Sequence, residues 1–127
     1  MYGDASWLDT AGRLLLGSFF LVAGLGNLPR ERVQEHLARM VAAGTPYPVL
    51  LHWTGIALQF AGSALVLGNW HAEIGVYILI AFTVGASVIF HRFWNVADPV
   101  KRNMGRISLT YNIGMVGALL LLLGNVR

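Results

Sequence analysis

The sequence predicts an all-α polytopic membrane protein: a bundle of four transmembrane helices, with a short amphipathic interfacial helix between the first and the second. Three observations carry this. Hydrophobic residues make up 56% of the 127 residues and charged residues only 12%, against about 25% charged in a soluble domain. The mean hydropathy is +0.61. The apolar residues gather in four stretches, 7–28, 48–69, 73–94 and 106–125, each able to cross a hydrocarbon core of about 30 Å at about 1.5 Å per residue. Nine basic and six acidic residues cannot dress a soluble fold of this length, which sets aside a soluble enzyme along with disorder and collagen. Lipid offers the backbone no partners, so helices are expected. The alternating ten-residue strands of a membrane barrel are absent.

The first stretch opens Met1-Tyr2-Gly3-Asp4, unlike the basic start of a cleavable signal. Asp9 and Arg13 are four apart and can pair on one helix face. The plainer reading of Arg13 is a side chain snorkelling from a helix end. Arg13, Gly17, Phe20, Gly24 and Asn27 share one face, where small residues admit a close neighbour.

Residues 30–43 place Val33, Leu37, Met40 and Val41 at helical spacing, with Arg32, Glu35, His36 and Arg39 filling the rest. This is an amphipathic helix too short to span, lying at the interface or capping the bundle. Pro29 starts it and Gly44-Thr45-Pro46 stops it.

The second span lies in a window, 40–70, without Asp, Glu, Lys or Arg, and offers His52, Gly55, Gln59, Gly62 and Ser63 to its neighbours. Gln59 should face the bundle and find a partner, either another helix or a ligand. The third span is free of charge and histidine over 74–90. The link from His91 to Arg106 is basic and is broken by Asp98-Pro99. The fourth span carries Thr110, Gly114, Gly117, Leu121 and Gly124 on one face, again a small-residue stripe expected to pack inside the bundle. Leu-Gly-Asn occurs at 25–27, 67–69 and 123–125, each near an expected helix end where Gly or Asn can take the left-handed cap conformation.

Seven of the 9 Lys and Arg residues fall in the two long connections. The positive-inside bias puts these in the cytoplasm and both termini outside. No basic run exceeds Lys101-Arg102, so the excess charge points to membrane orientation and no nucleic acid partner is expected. Because the second and third spans are joined by a tight turn, the start of one and the end of the other share a membrane level. His52, His91, Arg92, Trp94 and Asn95 therefore meet on the basic side, with Asn27, Tyr111 and Asn112 nearby. This polar rim is the candidate site. Three readings stay open for it: a quinone or other polar headgroup site, a plain interfacial anchor of aromatic residues, and, disfavoured, a haem held by His52 and His91. Two histidines without carboxylates at ligand spacing make no metal site. With Cys 0 there is no disulfide, thiolate or iron–sulfur chemistry. No catalytic triad, phosphate loop or paired carboxylates occur, so no catalytic residue is assigned.

Arg13-Leu-Leu-Leu-Gly17 with Ala23-Gly24, then Gln59-Phe-Ala-Gly62 with Leu67-Gly68, then Phe90-His91-Arg92-Phe93-Trp94, then Asn112 and Gly117 ahead of a leucine run resemble, in this order, the DoxX family of small four-helix bacterial and archaeal membrane proteins. The resemblance runs through nearly the whole chain, and Phe-His-x-Phe-Trp is its most specific part. It implies a bacterial or archaeal cytoplasmic (inner) membrane location. It also implies a role as a small accessory subunit of a redox, quinone-linked membrane complex, in contact with the lipid bilayer and with other membrane or redox proteins. At most this would be one subunit of a membrane oxidoreductase. The family pattern carries Lys near Asn27, Glu near Gln59 and Lys where Tyr111 stands, all uncharged here; losing both signs together fits a charge network replaced by neutral hydrogen bonds. The expected site is then His52, Gln59, His91, Arg92, Trp94 and Asn112 as a headgroup rim, with Arg13, Gly17, Gly24, Gly62 and Gly117 as structural positions within the membrane. The alternative is a structural or assembly protein that packs against a larger complex with no chemistry of its own. A solute carrier is set aside, as neither inverted repeats nor broken helices are visible.

Overall fold

The computed structural model describes residues 2–90 and 97–126, with side chains for 7–89 and 97–126. Among the described residues there are five helices and no strand: α1 (Tyr2–Gly26), α2 (Arg30–Ala42), α3 (Pro48–Leu67), α4 (Ala72–Phe90) and α5 (Pro99–Val126). α1, α3, α4 and α5 each contain a stretch long and apolar enough to cross a membrane, and α2 does not. The protein is a multi-pass helical membrane protein.

The helix ends follow local chemistry. α2 and α3 close with the same device. Gly44 (φ 75) and Asn69 (φ 51) turn left-handed. Thr45 N–H reaches back to the Met40 carbonyl (3.0 Å) and Trp70 N–H to that of Leu65 (3.1 Å), satisfying carbonyls that a helix end leaves open. Of the three Leu-Gly-Asn copies only the middle one, at Asn69, takes that conformation; Asn27 follows α1 in an ordinary turn, and Gly124 and Asn125 are still inside α5. α3 starts at Pro48, after Tyr47 has turned to φ 48.

The basic connection before the last span is shorter than the sequence suggests. Asp98 accepts the Val100 N–H on its side chain (3.0 Å) and the Arg102 N–H on its carbonyl (2.8 Å). Pro99 occupies the first helical position, where its missing N–H costs nothing. Asp98-Pro99 thus starts a helix instead of breaking a loop, and Lys101, Arg102 and Arg106 ride on α5. The expected start at 106 is corrected to Pro99, whereas the first apolar span does start at Trp7, within a helix that begins at Tyr2. The expected end of the third span at 94 lies outside the described residues.

α3 packs on both α1 and α4, α4 carries α5 on its other side, and α2 lies across α3 and α4; α1 and α5 meet more sparingly. The closest approach is at Gly62 and Gly75. A Cβ on Gly75 would lie 2.9 Å from the Gly62 carbonyl oxygen, and one on Gly62 would lie 3.1 Å from the Gly75 oxygen. Gly17 similarly admits Leu67 and Val66 against α1. The solid core, Phe20, Val66, Val76, Leu79, Leu119, Leu122 and Leu123, gathers toward the end of the bundle that holds the α3–α4 turn. Hydroxyls inside the bundle bond back to their own helices, Ser63 to the Gln59 carbonyl (2.6 Å) and Thr83 to that of Leu79 (2.8 Å), which keeps them satisfied without water. Leu15, Val22, Leu50 and Ile113 face outward, as lipid requires and water would not tolerate.

Two expected faces are corrected. On α5, Thr110, Gly114, Gly117, Leu121 and Gly124 all point away from the bundle, and a Cβ at Gly117 would meet nothing within 4 Å. Leu119, Leu122 and Leu123 make the packed face instead, because dispersion contacts favour the bulkier side. On α2, Val41 is exposed, and the inward face is Val33, His36, Leu37 and Met40.

Candidate functional site

The half of the bundle nearest α2 is hollow. A cavity of about 400 Å³ lies between α1, α3, α4 and α5, with α2 across its end. Its wall is mainly apolar, with Phe20, Ile56, Phe82, Ile89 and Met115 among its lining residues. It reaches the outer surface at Phe19 of α1 and at Leu51 and Leu58 of α3, which are 52%, 39% and 37% exposed.

Polar groups enter this cavity from α2, α3, α4 and α5, and from Asn27 just past the end of α1. α3 brings His52 and Gln59, two turns apart on one face, and both are buried (7% and 2% exposed). Gln59 Nε2 donates to the Phe20 carbonyl of α1 at 2.8 Å. Gly24 makes this reach feasible: a Cβ there would sit 3.3 Å from the Gln59 amide carbon. The other end of the amide, Oε1, and the Nε2 atom of His52 are buried with no hydrogen-bond partner among the described residues. Unpartnered polar atoms in such surroundings are costly, so each calls for a partner outside the chain, a water or a ligand.

Asn112 of α5 also lines the cavity. Its Nδ2 donates to Ser87 Oγ at 3.0 Å, and Ser87 in turn donates to the Thr83 carbonyl at 2.8 Å, so α5 is tied to α4 by side-chain hydrogen bonds. Asn27 closes the α1 edge. α2 brings His36, Arg39 and the fully buried Met40. The His36 and His52 rings meet edge to face, with centroids 5.7 Å apart. Burial pushes the His36 pKa below its ordinary value, aided by repulsion from His52, Arg39 and Arg32 and opposed by Glu35.

The structure therefore places His52, Gln59 and Asn112 around one cavity and adds His36, which the sequence pattern puts among the polar residues of α2. A histidine at the i+3 position from Val33 and the i−4 position from Met40 was the available signal. His91, Arg92 and Trp94 lie outside the described residues. Among the described residues, no three His, Asp or Glu side chains gather as metal ligands.

Arg13 does not snorkel. Its Nη1 crosses from α1 to donate to the carbonyls of Val66 (2.8 Å) and Leu67 (2.9 Å) at the end of α3, and no Asp9–Arg13 ion pair forms among the described residues. The guanidinium sits where a helix end exposes carbonyls and carries partial negative charge. Gly17, Gly24 and Gly62 are at helix contacts as expected. Gly75, which no sequence pattern marks, is tighter than Gly17 or Gly24 in one respect: its neighbour is backbone.

Among known proteins, the family model described as DoxX matches residues 8–92, covering all of α2, α3 and α4 and most of α1. No curated protein and no solved structure matches the chain.

Proposed function

The chain belongs to the DoxX family, and on that premise we propose that it is a small accessory subunit of a redox membrane complex, whose cavity receives a quinone-type headgroup. The observation that supports this reading is the pair of orphaned polar atoms, His52 Nε2 and Gln59 Oε1, at a cavity whose wall is mainly apolar. A volume of about 400 Å³ falls within the usual size of small-molecule sites, which combine apolar walls with a few placed polar groups. A quinone head matches this pattern, with a flat apolar ring and oxygens at its ends. His52 and Gln59 would hold the oxygens, and Phe20 and Phe82 would flank the ring. When bound, such a group carries electrons between membrane enzymes. The chain's own part is to bind, orient and shield it.

The membrane in this proposal is a bacterial or archaeal cytoplasmic membrane. The α2 side faces the cytoplasm, since seven of the 9 Lys and Arg residues lie there. His91, Arg92 and Trp94, at the end of the third span in sequence, are proposed to complete the rim on that side.

The test is extraction. Protein purified in mild detergent should carry quinone, detected by mass spectrometry of its lipid extract, and a His52→Leu/Gln59→Leu variant that melts normally should carry at least about fivefold less. Equal quinone in both would overturn the headgroup site.

A second reading, a structural or assembly protein without chemistry of its own, is favoured by the outward stripe of Gly114, Gly117 and Gly124 on α5, where another helix could approach closely. It predicts that Gly117→Leu leaves the isolated chain folded but strips co-purifying membrane proteins from it, with no quinone in the extract.

A further inference from the structure

We infer that the cavity is built for a headgroup that donates a hydrogen bond to Gln59 Oε1, and that of a quinone and its hydroquinone it therefore retains the hydroquinone. This rests on the quinone reading above and adds the redox form that the site prefers.

Gln59 lines the cavity, and one end of its amide is left without a partner. Its other end meets the Phe20 carbonyl at 2.8 Å. A carbonyl oxygen only accepts, so the amide end touching it is the NH2, and the orientation is settled by chemistry. Gly24 leaves room for this arrangement on the α1 side, since a Cβ there would crowd the Gln59 amide carbon. Oε1 is thus the end left over, buried and unpartnered. An amide oxygen has lone pairs and no hydrogen. It can be satisfied only by a group that brings an O–H or N–H.

The two redox forms differ at this point. A quinone presents two carbonyl oxygens, both acceptors. Placed here it would leave Gln59 Oε1 unsatisfied and facing another lone pair. A hydroquinone presents two hydroxyls, each a donor as well as an acceptor. His52 Nε2, the other orphan, adapts to either, because a neutral imidazole nitrogen donates or accepts according to its tautomer. One group of the pair is fixed and the other is adjustable, so the fixed one decides. The two residues lie seven apart on α3, about 10 Å along the helix axis, which suits a head with a hydroxyl at each end.

The experiment uses the full chain in nanodiscs under argon. A decyl-substituted benzohydroquinone and the matching benzoquinone are titrated by calorimetry. The hydroquinone should bind about tenfold tighter or better, the effect of leaving one buried acceptor unmet. Gln59→Leu should bring the ratio close to one. Equal affinities, or a tighter quinone, would overturn the inference, with water serving Oε1, while leaving the quinone site standing. Binding of neither would bring down both readings. A Gln59→Leu variant that melts like the wild type yet keeps the tenfold ratio would also overturn the inference, because the preference would then originate elsewhere. The comparison on the wild-type chain needs no variant to fold.

Discussion

Gly62 and Gly75 face each other across the α3–α4 contact so closely that the oxygen of the first lies 2.9 Å from where a Cβ of the second would be. An oxygen of the helical backbone cannot swing aside as a side chain can. Gly75→Ala should therefore push the helices apart and cost about 1–3 kcal/mol, seen as a lower melting temperature in detergent. Gly117→Ala, on the open face of α5, should be neutral or stabilising by no more than about 1 kcal/mol. If both alanines behaved alike, the close contact would not be a stabilising feature.

Arg13 closes the end of α3 from a different helix. Replacing it with Met keeps the apolar stem and removes both hydrogen bonds to the Val66 and Leu67 carbonyls. Charge-assisted bonds of this kind contribute about 1.5–3 kcal/mol, so Arg13→Met should unfold at clearly lower denaturant or temperature, and Arg13→Lys should recover part of the loss. A melting curve unchanged in Arg13→Met would rule out the capping role.

The docking of α2 should depend on pH. Burial, with repulsion from His52 and from Arg39, makes His36 harder to protonate while docked than at its ordinary value of 6.5. The undocked helix binds the proton more readily, so docking is fully supported above about pH 6.5 and weakens as pH falls below it. Hydrogen exchange in α2 should accelerate at pH 5 relative to pH 7.5, beyond the intrinsic rate change. His36→Phe should abolish that excess. An excess that survives in His36→Phe would place the titrating group elsewhere.

Asn112→Leu should remove the α5-to-α4 bond to Ser87. Side-chain hydrogen bonds between membrane helices average about 0.6 kcal/mol, so the expected loss of thermal stability is small, and Ser87→Ala in the same background should add little. A double-mutant cycle measures this directly. Strictly additive losses would mean that the pair does not couple.

Much of this arrangement can be read from the residue pattern alone. Span number, the amphipathic α2 and the inward face of α3 follow from hydropathy and from the spacing of His52, Gln59 and Gly62, since a polar group within lipid has only the bundle to turn to. The stripe Arg13, Gly17, Phe20, Gly24 faces α3 for the same reason. Elsewhere the pattern was ambiguous. On α5 a glycine stripe and a leucine stripe compete, and only packing shows that Leu119, Leu122 and Leu123 turn inward. Asp98-Pro99 reads equally as a loop or a helix start until the Val100 N–H is seen on the Asp98 side chain. Arg13 looked like an end-of-helix charge because its partners, two backbone carbonyls, leave no mark in a sequence. Gly75 stands alone, without a companion glycine at i+4, and so lacked the periodic signal that exposed Gly62.

The surface breaks in the cavity wall at Phe19, Leu51 and Leu58 have a practical corollary. With α2 across the loop end, these residues sit on flanks that touch hydrocarbon, so the proposed headgroup ligand would arrive by sideways diffusion within the bilayer. Its occupancy would then track its mole fraction among the lipids instead of its aqueous solubility. On that proposal, long-tailed compounds nearly insoluble in water would saturate the site at modest abundance, while short, water-soluble analogues would look weaker than their heads deserve.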